Sequence, residues 1–153
     1  MTTAEPTSAD VIRPPDVWRG PVPADEAWTR PYWEALRRHE LSIQRCRACG
    51  AWQHPPVVAC PSCGSDDLAF QPTAGRGEIY SVTVCHREFG LQFGVPWVGA
   101  YVTLDEGVRV ATNIVNCTVD DVAIGLPVSV VYQDYDDIEL TLAFFELAEG
   151  AAR

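Results

Sequence analysis

The sequence predicts a mainly β protein, with an N-terminal helix, a metal-braced ribbon and a closed barrel of five strands. Three patterns carry that expectation. Two Cys-x-x-Cys pairs stand within residues 46–63. Just before them, apolar residues recur every three or four positions, the spacing of one helix face. From Arg76 onward the spacing drops to two, the period at which a strand returns side chains to one face.

Residues 1–27 hold Pro6, Pro14, Pro15, Pro21 and Pro23 with little periodicity, which predicts an extended arm. Val11, Ile12, Val17 and Trp18 are too apolar for a bare linker, so the arm is expected to lie on a surface, its own or a partner's. Thr29 reads as a helix N-cap, with Pro31 in the first turn, where its missing N–H costs nothing. Trp28, Tyr32 and Leu36, joined by Trp33, would form one apolar stripe on a helix ending near His39. Glu34 and Arg38 have the i,i+4 spacing of an ion pair, and His39 reads as a helix-end cation.

Leu41 and Ile43 alternate with Ser42 and Gln44, a short strand feeding the first cysteine pair. Cys46, Cys49, Cys60 and Cys63 then offer four soft ligands, the set that suits Zn²⁺ or a single iron ion. Gly50 and Gly64, one after each pair, suit a tight turn with positive φ. Four protein ligands leave no open coordination position, so the ion is expected to be structural and not a Lewis-acid catalyst. Two disulfides are the alternative. They are disfavoured because the polar, acidic residues 1–10 do not read as a secretory segment, and a cytoplasmic location, where thiols stay reduced, is expected. Sites of the rubredoxin type share the Cys-x-x-Cys-Gly turn, and iron here would make a rubredoxin-like electron carrier. Zinc is preferred because the pairs are joined by only ten residues and followed by a large second part. Trp52 and His54 follow the first pair, with His54 not needed as a ligand.

In the second half, Tyr80, Val82 and Val84 share one strand face, opposite Ser81, Thr83 and Cys85. Val98, Ala100, Val102 and Leu104 line the inner face of a second strand. A tight hairpin at Asp105-Glu106-Gly107 returns the chain through Val108, Val110, Thr112 and Ile114. A bend from Asp120 to Pro127 precedes Val128 and Val130, residues 134–137 form a turn, and Ile138, Leu140, Leu142 and Phe144 finish the set. Five strands with one longer irregular connection before the fourth fit an OB-fold best among five-stranded barrels.

Charge narrows the function. The net charge is −10, and all eleven basic residues are Arg. Residues 1–76 hold eight Arg against nine acids, whereas residues 77–153 hold three against twelve. Nucleic-acid affinity comes mostly from neutralising phosphates, so an acidic barrel argues against a single-stranded nucleic-acid module, the rival role for a ribbon joined to an OB-fold. Arg37, Arg38, Arg45 and Arg47 near the metal read as a solvated face with helix C-terminal charges, in preference to an anion site. No apolar run approaches the ~20 residues of a membrane span.

Catalysis by this chain alone is not expected. Cys85 beside His86 suggests a nucleophile and base, but neighbours on a strand point to opposite faces. Cys117 has Asp120 and Asp121 nearby but no base, and these acids, with Asp134, Asp136 and Asp137, read as turn formers. The connection through Phe89, Gly90, Phe93, Gly94, Pro96 and Trp97 places large rings on a loop, there to meet a partner or ligand, or to tuck over the barrel end.

Several stretches together resemble the Zn-ribbon OB-fold proteins associated with acyl-CoA metabolism, long catalogued as a domain of unknown function. They are residues 31–36, the two cysteine pairs with their flanks, Gly75-Arg76-Gly77 with Tyr80-Ser81, Leu104-Asp105-Glu106-Gly107, and Ile124-Gly125-Leu126-Pro127-Val128. The resemblance spans residues 28–147. It implies a non-catalytic subunit with one structural Zn²⁺, paired in a hetero-oligomer with a thiolase-superfamily enzyme and helping to hold acyl-CoA. The partner's chemistry would be acyl transfer, condensation or retro-aldol cleavage, and the lysine-free, Arg-, Ala- and Pro-rich usage leans toward a steroid side-chain or polyketide setting. His86, Arg87, Phe89, Phe93 and Trp97 are then expected to border the acyl-CoA or partner groove. The expected domain limits are an arm at 1–27, helix and ribbon at 28–74, OB-fold at 75–147 and a tail at 148–153.

Overall fold

The computed structural model describes residues 11–88 and 94–151. Helix α1 (Arg30–Arg37) leads into a ribbon of β1 (Ser42–Cys46), β2 (Trp52–Gln53) and β3 (Leu68–Pro72). The barrel follows as β4 (Arg76–Cys85), β5 (Trp97–Leu104), β6 (Arg109–Ile114), β7 (Pro127–Tyr135) and β8 (Leu140–Leu147). Among the described residues no helix is long and apolar enough to cross a membrane.

Pro31 sits in the first turn of α1, as its fixed φ favours. Thr29 occupies the cap position, but its hydroxyl donates backward to the Glu26 carbonyl at 3.3 Å and caps nothing. The apolar stripe begins at Tyr32: Ala35 and Leu36 are buried and Tyr32 and Trp33 pack partly against the core, while Trp28 lies before the helix and is exposed. The expected Glu34–Arg38 side-chain pair does not form. Arg38 donates instead to the Glu34 backbone carbonyl at 3.0 Å and approaches the Glu40 carboxylate at 3.8 Å; an exposed i,i+4 pair contributes too little to hold two long side chains together. His39, at φ 54°, turns the chain into the ribbon.

The ribbon sheet runs β2-β1-β3, antiparallel throughout. Its third strand was not expected, because residues 68–72 lack alternation and end in Pro72. Gln44, buried in the central strand, clamps the loop between the cysteine pairs. Its amide donates to the Val57 carbonyl at 3.0 Å and accepts from the Val57 N–H at 2.9 Å.

The barrel closes in the order β4-β5-β6-β8-β7, with β7 back on β4 and a parallel bridge between Ile114 and Phe145. This is the expected five-stranded OB-type barrel. Val98, Ala100, Val102 and Leu104 all face inward, and the hairpin at Gly107 (φ 87°) is as expected. The first strand departs from its expected phase. A β-bulge between Ile79 and Ser81 inserts one residue, so Ile79 is buried while Tyr80 points out under the Arg109 guanidinium, 3.6 Å from the ring centroid. Ile138 also differs: it sits in a 3₁₀ turn (Asp136–Ile138), and the last strand starts at Leu140. One core results, since Leu36, Leu41 and Ile43 join Ile79, Val102, Val128 and Phe145 in a single buried cluster.

The described part of the arm lies on its own barrel. The Ile12 N–H donates to the Cys117 carbonyl and its carbonyl accepts from the Asn116 N–H, both at 2.7 Å, and its side chain is buried. Further on, the Tyr135 hydroxyl donates to the Pro15 carbonyl at 2.8 Å, beside the Trp18 ring.

Candidate functional site

The four cysteines of the ribbon converge. Each pair forms the same knuckle: the first cysteine's N–H donates to the carbonyl five residues on, and the glycine N–H returns to that cysteine's carbonyl, all at 2.8 Å. Gly50 and Gly64 hold φ of 78° and 77°, a region that disfavours side chains. The knuckles therefore present two sulfurs each toward a common centre, one buried (Cys46, Cys60) and one exposed (Cys49, Cys63). All four sulfurs lie within 4.8 Å of one another.

This donor set fits zinc. Zn–S bonds of about 2.3 Å imply tetrahedral edges of ~3.8 Å, and the Cys46–Cys63 and Cys49–Cys60 sulfurs are 3.7 Å and 3.6 Å apart. The crowded sulfurs pull their neighbours in opposite directions. Burial resists ionisation of Cys60, but the Cys63 and Ser62 N–H groups, aided by the neighbouring thiols, bring it down to about 6. At Cys63 the Ser65 N–H pulls the other way, yet the sulfurs around it, Cys49 first, together with burial, push it up to about 12. Four thiolates cannot share so small a volume without a positive centre, and a bound Zn²⁺ supplies that charge and cross-links both knuckles. Around them, Arg45 donates to the Gly50 carbonyl at 3.1 Å and lies over the Trp52 ring, while the Arg47 backbone N–H donates to the Asp67 carbonyl at 2.9 Å. His54 packs against Tyr32 away from this role, and burial lowers its pKa.

The second group of candidates is split. His86 and Arg87 are exposed just beyond β4. Trp97 is not on the loop as expected: it opens β5, half-buried in register with Cys85, on the same strand face as Gly99 and Tyr101. Its ring lies over Gly99, where an added Cβ would come within 3.0 Å of it. The strand register therefore brings His86, Arg87 and Trp97 to one end of the β4–β5 pair. Phe89 and Phe93, with Gly90, lie outside the described residues.

The other reactive-looking side chains have structural explanations. Cys117 is buried, and burial, reinforced by the Asp121 charge, pushes its thiol up to about 11. Asp121 accepts from the Thr118 N–H and hydroxyl at 2.7 and 2.8 Å, the work of a turn former. Asp134 accepts from the Thr141 hydroxyl at 2.7 Å and from the His39 ring at 2.9 Å, and that ring stacks on Tyr132.

Comparison with known proteins gives the same two-part division. Residues 33–69 match the family model described as the ChsH2 rubredoxin-like zinc ribbon domain, and residues 70–133 match the ChsH2 C-terminal OB-fold domain. Two hydratase alpha subunits are similar. One is a probable enoyl-CoA hydratase alpha subunit of Thermomonospora curvata, 42% identical over 76% of this chain. The other is the 3-oxo-4,17-pregnadiene-20-carboxyl-CoA hydratase alpha subunit of Mycobacterium tuberculosis, 36% identical over 77% of this chain. The chain spans only 36% and 38% of those two proteins' lengths. A shorter stretch, 48% of this chain and 51% of the relative, is 30% identical to the benzoylsuccinyl-CoA thiolase subunit BbsA of Thauera aromatica. Among solved structures, one chain of an Ltp2-ChsH2(DUF35) aldolase superposes with a TM-score of 0.74 at 40% identity, covering 82% of this chain and 98% of that one. A DUF35 domain-containing scaffold protein of Methanocaldococcus jannaschii is 30% identical, over 78% of this chain and 89% of its own length. With its ribbon of four cysteines and its closed five-stranded barrel, the chain belongs to the DUF35 family.

Proposed function

We propose that the chain is a non-catalytic, zinc-containing accessory subunit that binds a thiolase-superfamily enzyme and helps hold acyl-CoA. In this reading the partner carries out the acyl transfer, condensation or retro-aldol cleavage. The observation that carries it is the match to nearly the whole of one chain of a two-component aldolase, 98% of its length at 40% identity. The BbsA likeness supports a thiolase-class partner, and the pregnadiene-carboxyl-CoA relative supports a steroid side-chain acyl-CoA. The chain's own groups agree. Its four clustered thiols suit a closed structural site, and Cys85 and Cys117 lie half-buried and buried on the barrel. His86, Arg87 and Trp97, with Phe89 and Phe93, would border the acyl-CoA or partner contact, the cations meeting phosphate and the rings the apolar arm.

Purified alone, the chain should turn over no acyl-CoA thioester, and added to its thiolase-class partner it should restore activity. Phe93→Ala with Trp97→Ala should weaken partner or acyl-CoA binding by at least about tenfold; full retention of both would discard these contacts. The hydratase relatives favour a second reading, in which this fold serves an enoyl-CoA hydratase. Assaying the reconstituted complex with an enoyl-CoA and with a β-hydroxyacyl-CoA separates the two, since only hydration consumes the first.

A further inference from the structure

Away from the cysteines and from the end of β4 at Cys85, three distant segments enclose a groove. Helix α1 contributes the face of Arg30, Trp33, Glu34 and Arg37, the arm contributes residues 22–25, and the β7–β8 turn contributes residues 138–141. A cavity of about 320 Å³ there is joined by a second of about 370 Å³, which shares Arg37, Glu139, Leu140 and Thr141 and continues to Asp134 and Asp136. Val22, Pro23, Trp33, Ile138 and Leu140 give the floor an apolar character.

The charges on this groove are unevenly matched. Arg30 is already paired with Asp25 at 2.7 Å, and Arg37 is tied through Nε to the Glu139 carbonyl at 3.0 Å. Asp134 has His39 and Thr141. Among the described residues Asp136 and Glu139 form no ion pair, and Glu34 forms none either but acts at longer range on the Arg30 guanidinium; all three are exposed. Arg30 and Arg37 thus face five acids along the groove, Asp25, Glu34, Asp134, Asp136 and Glu139, on a chain whose residues 77–153 hold three Arg against twelve acids. A floor of this kind under such a rim complements a polypeptide that alternates apolar and basic side chains.

We propose that the groove seats a basic, apolar-anchored segment of a partner protein. An aliphatic or aromatic side chain would rest against Trp33 and Leu140, and arginine or lysine would meet Glu34, Asp136 and Glu139. The proposal rests on the accessory-subunit reading and extends it, because it names where the partner grips. It is separate from the His86–Trp97 end. β7 leaves β4 from Pro127 opposite Glu78 to Ser129 opposite Arg76, so the β7–β8 turn lies in the direction away from Cys85.

The test titrates the zinc-loaded full chain with a synthetic peptide alternating leucine and arginine, followed by amide and indole NMR shifts. Saturable shifts should gather at Trp33, Arg37 and residues 138–141 and weaken with added salt. Glu34→Arg with Asp136→Arg should lower the affinity at least about tenfold, with zinc content and barrel shifts unchanged. A leucine–glutamate peptide should not bind. Shifts that map elsewhere, equal binding of the acidic peptide, or indifference to the double charge reversal would each overturn the proposal. Co-purification with the thiolase-class partner is the second arm. A complex that forms equally well with the charge-reversed chain removes the groove and leaves the accessory reading intact. Failure of the unmodified chain to form any complex removes that reading, whatever the peptide does.

Discussion

The ribbon and the barrel are held together by different physics. From Cys46 to Leu68 the buried apolar side chains are the two cysteines Cys46 and Cys60, and apart from the two-residue strand β2 the segment is irregular, pinned by backbone bonds around two knuckles. The barrel buries Ile79, Val98, Val102, Ile114, Val128 and Phe145 almost completely. One half draws its stability from a bound cation and the other from apolar surface removed from water. The same kind of damage should therefore have local consequences in one and global consequences in the other.

Metal removal is the hardest blow to that contrast. Isolated zinc peptides owe ~10–16 kcal/mol to their ion, so chelation or Cys60→Ser should strip residues 46–68 of hydrogen-exchange protection while the amides of β5 keep theirs. Uniform loss across both halves would erase the distinction. Next comes Phe145→Ala, which empties the barrel centre and should cost ~3–5 kcal/mol, read as a lower urea midpoint. Before that midpoint the variant should still bind one zinc per chain; metal lost in parallel would show that the ribbon leans on the barrel more than its sparse core suggests.

The mildest perturbation acts at the joint. The Thr141 hydroxyl, opposed by burial and helped by His39, holds Asp134 below its usual range. A lowered folded pKa gives stability that is complete above the unfolded value of ~3.9 and disappears as pH falls through the folded one. The side chain is nearly half exposed, so the effect should be small, ~0.2–1 kcal/mol. Urea midpoints between about pH 5 and about pH 2 should fall more steeply for the wild type than for Asp134→Asn. Equal slopes would show that this contact does not couple helix and barrel.

What could be read in the sequence was whatever repeats or clusters locally. The cysteine pairs with their glycines and the alternation from Val98 to Leu104 needed only short windows. The inward phase of β4 did not follow from alternation, because one bulged residue turns Tyr80 outward and only the pairing with β5 exposes it. β3 was hidden because Leu68, Ala69 and Phe70 are consecutive and owe their strand form to the five-residue register with β1. Arg38 looked paired by spacing, but a backbone carbonyl outcompeted Glu34's side chain. The groove between the arm, α1 and the β7–β8 turn could not be foreseen at all, since Glu139 of that turn lies 102 residues from the Arg37 it meets.

Because Leu36, Leu41 and Ile43 share one buried cluster with the inward-facing residues of the barrel, the ribbon and the barrel are joined by packed side chains and not by a soft seam. Close-packed interiors transmit displacement instead of absorbing it. A macromolecule that clasps this chain at two places must therefore accept the angle between them as given, and a misfit of a few degrees would have to be relieved in the other molecule.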